Sequence, residues 1–201
     1  MKRFSNIAYF SLIIVSTIIL YNGCESKFPK EKIFVSSYSL LDQDSSRVIF
    51  PDDFKGKVVA ISFSFTNCPD ICPITVNKMT LIQKRIKDEK VNNVEFIVLT
   101  FDPERDTPSI LKQYAKIRDI DESNFHFLTG NKKSIEAILR KAAVVAVAED
   151  TTYTDDGEPI YFFTHTDRIS LLDEEGRIRK DYPGSKSNID EIVKDIKSLA
   201  D

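Results

Sequence analysis

Tryptophan is absent from the 201 residues, glycine occurs six times and cysteine three times. So few glycines without tryptophan argue against a propeller or a collagen-like repeat, and three cysteines are too few to brace a small disulfide scaffold. An excess of positive charge is also missing. Lys and Arg number 28 against 31 Asp and Glu, for a formal net charge of −3, so nothing electrostatic draws the chain toward DNA or RNA. No internal repeat is present. With 42% hydrophobic and 29% charged residues, the chain suits one ordinary globular domain and is too apolar for a disordered one.

The longest uncharged run lies at the N-terminus. Met1-Lys2-Arg3 is a basic start, and the 21 residues from Phe4 to Cys24 carry no charge, with the apolar stretch Ile7 to Leu20 inside them. Residues 1–23 therefore read as a signal peptide or membrane anchor rather than a buried core helix. The apolar stretch is shorter than the roughly 20 residues of a spanning helix. It ends in Leu20-Tyr21-Asn22-Gly23-Cys24, where a small residue directly before cysteine resembles the cleavage and lipidation site of a bacterial lipoprotein. Three outcomes stay open: a lipidated Cys24, an uncleaved anchor, or a simple signal peptide. All three export the rest of the chain, and the first two anchor it to the membrane on the extracytoplasmic (periplasmic) side. Loss of residues 1–23 removes Lys2 and Arg3 and no acid, moving the charge from −3 to −5. With Cys24 lipidated, Cys68 and Cys72 remain as a pair in an oxidising compartment.

Residues 24–32 are polar and interrupted by Pro29, a tether to a domain expected over residues 33–201. Phe34–Leu41 and Val48–Phe50 suit an opening hairpin. Lys57–Phe65 and Asn93–Phe101 are β-branched and aromatic runs of the kind buried on both faces of a sheet. Between them, Val76, Met79, Ile82 and Ile86 follow the spacing of an amphipathic helix over Thr75–Lys87. Helices are expected at Ser109–Ile117, Ser134–Ala143 and about Asn188–Leu199. Strands are expected at Phe125–Leu128, Tyr161–Phe163, Asp167–Leu172 and Ile178–Tyr182, the last two joined as a hairpin across Asp173–Gly176. This order predicts an α/β fold: a thioredoxin-like sheet with flanking helices, an added N-terminal hairpin, and an inserted hairpin in the acidic stretch Glu149–Glu158.

Cys68-Pro69-Asp70-Ile71-Cys72 falls where the first central strand gives way to its helix, the end of an open α/β sheet where chemistry is usually done. Four residues make about one helical turn, so both sulfurs can face one side, and a helix N-terminus favours thiolate. A disulfide that merely braces so short a loop would restrict the unfolded chain little. Thiolates select soft metals, chiefly Cu(I), while an iron–sulfur cluster wants about four cysteines. A third ligand must come from elsewhere, and the candidates are few: His126, His165 and Met79. His126 lies between aromatics in an expected strand and reads as a packed or surface residue. His165 lies where a strand-like stretch enters a loop. Asp70 is a hard carboxylate, better suited to a position beside the ligands or to docking than to holding Cu(I). Asp102, Arg105 and Asp106 read as a helix start with an ion pair rather than as acid–base groups.

Three separated motifs carry a resemblance. Ser64-Phe65-Thr66-Asn67-Cys68-Pro69-Asp70-Ile71-Cys72-Pro73, then Asp102-Pro103-Glu104-Arg105-Asp106-Thr107-Pro108, then His165-Thr166 with Leu171-Leu172-Asp173 and Gly176, together resemble the Sco/SenC family over roughly residues 33–200. Members are membrane-tethered thioredoxin-fold copper proteins of cytochrome c oxidase assembly. The resemblance implies copper, with Cys68, Cys72 and His165 as its ligands, and leaves open whether Cu(I) alone or both Cu(I) and Cu(II) are bound. It implies delivery to the dinuclear copper centre of a haem–copper oxidase subunit, and a copper donor or thiol reductant as further partners. Both spanning and lipidated members occur, so the resemblance leaves the role of Cys24 open.

Two functions compete: a copper metallochaperone, and a thiol-disulfide oxidoreductase in which Cys68 and Cys72 are the catalytic pair that reduces an oxidase subunit or another exported protein. A thiol exchanger requires only the cysteines; a copper site gains its third ligand from His165. A peroxidase reading from Thr66-Asn67-Cys68 is weaker, because the residues that flank a peroxidatic cysteine are only partly present.

Overall fold

The computed structural model describes residues 33–157 and 159–200; the expected leader, Cys24, the tether to residue 32 and Glu158 lie outside the described residues. The chain opens with an antiparallel hairpin of β1 (Tyr38–Leu41) and β2 (Arg47–Phe50). After a single 3-10 turn at Asp52–Phe54 come β3 (Val58–Ser64), α1 (Ile71–Asp88), β4 (Val94–Thr100), α2 (Pro108–Ile117), β5 (Phe125–Leu128) and α3 (Lys132–Lys141). Four short strands follow: β6 (Ala146–Ala148), β7 (Thr152–Tyr153), β8 (Pro159–Ile160) and β9 (Phe163–His165). The chain closes with β10 (Arg168–Leu172), β11 (Ile178–Pro183) and α4 (Ile189–Ala200).

The central sheet runs β11-β10-β3-β4-β5. β3, β4 and β5 are parallel, β10 is antiparallel to β3, and β11 to β10. This is a thioredoxin-like α/β sheet with an added N-terminal hairpin. Successive side chains of a strand point to opposite faces, and β3 divides accordingly. Val58 and Ala60 pack with α1, α2 and α4, through Val76, Met79, Leu111 and Ile192 among others. Val59, Ile61 and Phe63 pack with the hairpin and α3, through Leu40, Phe50 and Ile138. All seven residues of both β3 and β4 are buried, which explains their largely apolar runs, broken only by Ser62, Ser64, Glu95 and Thr100.

Four elements depart from the expected boundaries by two residues or more: β1 begins at Tyr38 rather than Phe34, α3 runs over Lys132–Lys141 rather than Ser134–Ala143, and α1 and β9 are shifted as well. α1 begins at Ile71, four residues before Thr75, and so takes in Cys72 and Pro73. Proline is tolerated there because the amides of a helix's first turn have no intrahelical acceptor to lose. The strand expected at Tyr161–Phe163 is instead β9, two residues later. Its Phe163 and His165, two residues apart, stand opposite Ala148 and Ala146 of β6, on one face of a two-stranded ribbon. The acidic stretch forms the hairpin β7–β8, exposed over residues 149–157, with Gly157 at positive φ in its turn.

Candidate metal centre

β3 leaves the sheet at Ser64 and runs through Phe65, Thr66 and Asn67 to Cys68. Asp106, wholly buried, holds this turn: Thr66 Oγ1 donates to Asp106 Oδ1 at 2.5 Å, the Thr66 amide donates to Oδ2 at 3.1 Å, and Thr100 Oγ1 donates to Oδ2 at 2.5 Å. Burial raises the Asp106 carboxyl above the usual carboxylate range, against the hydrogen bonds from Thr100 and Thr66. Arg105 donates from Nε to Asp102 Oδ2 at 2.5 Å, and its guanidinium lies 3.6 Å from the centroid of the Tyr161 ring. The Tyr161 hydroxyl donates to Asp102 Oδ1 at 3.1 Å, and Arg105 Nη2 donates to the Tyr161 carbonyl at 3.2 Å. The Asp102–Pro108 loop is thus a brace between β4 and the segment leading to His165, as its ion-pair reading anticipates, and its acids are occupied in hydrogen bonds.

Cys72 sits in the first turn of α1 and His165 at the end of β9. Their approach, with Cys68, puts the three ligand atoms within 4.8 Å of one another, the one such cluster of His, Cys, Asp and Glu among the described residues. Both cysteines are free thiols. His165 Nε2 lies 3.3 Å from Cys72 Sγ, and Nδ1 lies 3.2 Å from the Thr166 carbonyl. A carbonyl only accepts, so Nδ1 carries a proton, and in the neutral tautomer that this sets, the lone pair is on Nε2, facing Cys72. Phe101 and Phe65 back the imidazole at 4.9 and 6.3 Å between centroids, and Phe163 packs against both rings.

The apolar surroundings correct one expectation. Burial pushes the Cys72 thiol up to about 12, outweighing the hydrogen bonds from the Ser64 side chain and the Phe65 backbone that favour thiolate. Desolvation overrides the helix N-terminus, so the metal-free fold favours the Cys72 thiol over a poised thiolate, with its sulfur in contact with His165 Nε2. Two sulfurs and one imidazole nonetheless form a soft donor set, one that fits Cu(I) or zinc and gives up protons on binding.

The centre opens through a mouth of about 280 Å³ that includes Cys68, Asp70, Phe162 and Thr164. Asp70 is exposed at the N-cap of α1 and makes no capping bond with its side chain. The other candidate residues lie elsewhere. His126 Nε2 is 2.7 Å from Glu95 Oε2, with Phe54 against its ring, and Met79 is fully buried under the opposite face of the sheet. The phenylalanine wall and the Arg105–Tyr161 stack escaped the sequence reading; their one visible signal is the aromatic run Tyr161-Phe162-Phe163 just before His165.

Comparison with known proteins bears on this geometry. Residues 26–201 match the SCO1/SenC family model. The SCO1 protein homolog of Bacillus subtilis is 33% identical over 168 residues, which make up 83% of this chain and 82% of the relative. The structure of Bradyrhizobium japonicum ScoI with copper bound superposes with a TM-score of 0.68 at 29% identity, covering 82% of this chain and 98% of the other. BsSco, described as a member of the Sco family of cytochrome c oxidase assembly proteins with a disulfide switch, superposes with a TM-score of 0.68 at 28% identity, covering 87% of this chain and 96% of the other.

Proposed function

The chain belongs to the SCO1/SenC family, and on that premise we propose that it is a membrane-tethered copper metallochaperone serving the dinuclear copper centre of cytochrome c oxidase. The observation that carries this reading is the convergence of Cys68, Cys72 and His165 with Nε2 turned toward the sulfurs. Copper is cargo: Cys68 and Cys72 grip Cu(I) as thiolates once their protons leave, and the imidazole supplies the nitrogen that a Cu(II) form needs most. The phenylalanine wall excludes water from the inner side, and the mouth beside Cys68 is the path to the receiving oxidase subunit and to a copper donor. The N-terminus tethers the domain outside the cytosol, through a lipid on Cys24 or through an uncleaved apolar segment.

The competing reading, a thiol-disulfide oxidoreductase, draws on one observation: both thiols are free and one turn apart. Against Cys72 as its attacking sulfur stands burial, which raises that thiol to about 12 and disfavours the thiolate.

His165→Ala separates the two, since it leaves both sulfurs in place. The metallochaperone reading expects copper affinity and oxidase maturation to fall together while disulfide reduction stays near wild type. A variant that binds copper as tightly as wild type but fails in thiol exchange reverses the assignment. Cys24→Ser tests the tether: release from membranes, or failure of processing, supports lipidation, and unchanged association and migration favour a spanning anchor.

A further inference from the structure

We propose that Asp167 is the positioning residue of the metal centre, clasping the His165 ribbon to the helix that carries Cys72. The inference rests on the metal-binding reading and deepens it by naming what holds the third ligand in place.

Only Thr166 and Asp167 separate the end of β9 from β10. Thr166 ties the ribbon to its own neighbour: its amide donates to the Val145 carbonyl at 2.9 Å, and its hydroxyl accepts from the Val145 amide at 3.1 Å. Neither bond reaches α1. Asp167 makes that connection. Its Oδ1 accepts from Thr75 Oγ1 at 2.7 Å, and its Oδ2 accepts from the Ser185 amide at 2.7 Å and the Ser185 hydroxyl at 2.6 Å. The Asp167 carbonyl accepts from the Gly184 amide at 3.2 Å.

Helix periodicity places the partners of this clasp beside the metal ligand. Cys72, Thr75 and Lys78 are spaced by three along one side of α1. Lys78 Nζ donates to the Ser185 carbonyl at 3.0 Å and also to the Ser187 carbonyl. The side of the helix that presents a sulfur therefore also presents a hydroxyl and an ammonium to the loops that follow β9 and β11. Residue 184 completes the arrangement. A Cβ there would stand 2.1 Å from Asp167 Oδ1 and 2.9 Å from Thr75 Oγ1, so the carboxylate reaches the helix only because this residue is glycine. With the clasp made, Nε2 stands 3.3 Å from Cys72 Sγ before any ion arrives. Without it, the three-residue β9 keeps only β6 as a strand partner, with the phenylalanine wall and the Arg105–Tyr161 stack as the remaining supports of the imidazole.

The test uses the full chain in detergent with Asp167→Asn, Thr75→Val and Gly184→Ala. Asn keeps the size of Asp but sets an amide against the Ser185 donors; Val removes only the hydroxyl; Ala pushes a methyl into the carboxylate. The readouts are the Cu(II) paramagnetic resonance and sulfur-to-copper absorption spectra, Cu(I) competition titration, thiol titration and thermal unfolding of the metal-free chain. All three variants are expected to retain both thiols, to change the nitrogen signature of bound Cu(II), and to bind Cu(I) about 10- to 100-fold more weakly. Wild-type spectra and affinity overturn the proposal, and so does a lowered unfolding temperature with unaltered spectra, which makes Asp167 a structural brace alone. Should wild type itself take up no copper, the copper reading fails separately. The clasp is then judged on the metal-free chain, where the His165 imidazole resonances must shift in each variant; unshifted resonances overturn it.

Discussion

Cys72 stands on a helix packed against β3, in which all seven residues are buried, whereas His165 ends a three-residue strand whose partner β6 is half-buried at best. The surroundings differ in charge as well. From Ala142 to Asp167 the chain holds no Lys or Arg and six carboxylates, while α1 carries four basic residues, of which Lys84, Arg85 and Lys87 are exposed. Apolar burial fixes the sulfur side of the centre, as in any folding core. The imidazole side is fixed by a few polar contacts and a phenylalanine wall, and is the part that can yield when an ion enters or leaves. Reversible uptake of an ion calls for both properties, a grip that holds and an edge that gives.

Three experiments sharpen that contrast. The largest effect is expected in the sheet: Ile61→Ala, which empties a fully buried position of β3, should cost about 2–5 kcal/mol of unfolding free energy in a denaturant titration. A loss below about 1 kcal/mol would mean that β3 is no more critical than the ribbon. The second concerns protons. With the Cys72 thiol raised to about 12, the metal-free site stays protonated at neutral pH, so its ionisation must accompany metal uptake. For that proton alone, apparent Cu(I) affinity should rise about tenfold per pH unit below this value, and a pH-independent titration would show that Cys72 is not a ligand. The same shift has a sign in folding. Above the ordinary thiol value of 9.0 the unfolded chain gives up a proton that the folded chain keeps until about 12, so the reduced metal-free fold should lose stability with rising pH in that window. Cys72→Ala should remove this component. The smallest effect is expected at the tip of the acidic hairpin, where Asp155→Asn with Asp156→Asn should change stability by no more than about 0.5 kcal/mol, because both side chains are exposed. A larger loss would show that the insert is part of the folded core.

The central strands were legible because burial on both faces leaves a run rich in β-branched and aromatic residues, and the cysteines were legible because a thiol pair one turn apart at a strand's end has few other uses. His165 was different. No periodicity links it to Cys72, 93 residues earlier, and its place beside the sulfurs was expected only through the family resemblance. β7 and β8, two residues each, are too short to leave an alternating pattern. The start of α1 was hidden by Pro73, a breaker inside a helix but harmless in its first turn. Asp167 looked like any strand-edge acid, since its partner Thr75 lies 92 residues away. The raised Cys72 thiol was misjudged for a related reason: a helix terminus can be inferred from local sequence, whereas the core cluster that buries the sulfur is assembled from separate segments of the chain.

The closeness of the two free thiols also sets an electrochemical property of the domain. The electron pairs that would hold a metal ion are the same ones an oxidant would take to join the sulfurs, so ion and oxidant draw on a single reservoir. Each tenfold of metal affinity for the dithiol form raises the midpoint potential of its dithiol–disulfide couple by about 30 mV at saturating metal. The metal-loaded dithiol is therefore chemically hardened against oxidation. Once the ion departs, the emptied pair returns to its intrinsic potential and must be re-reduced whenever oxidation overtakes the next loading.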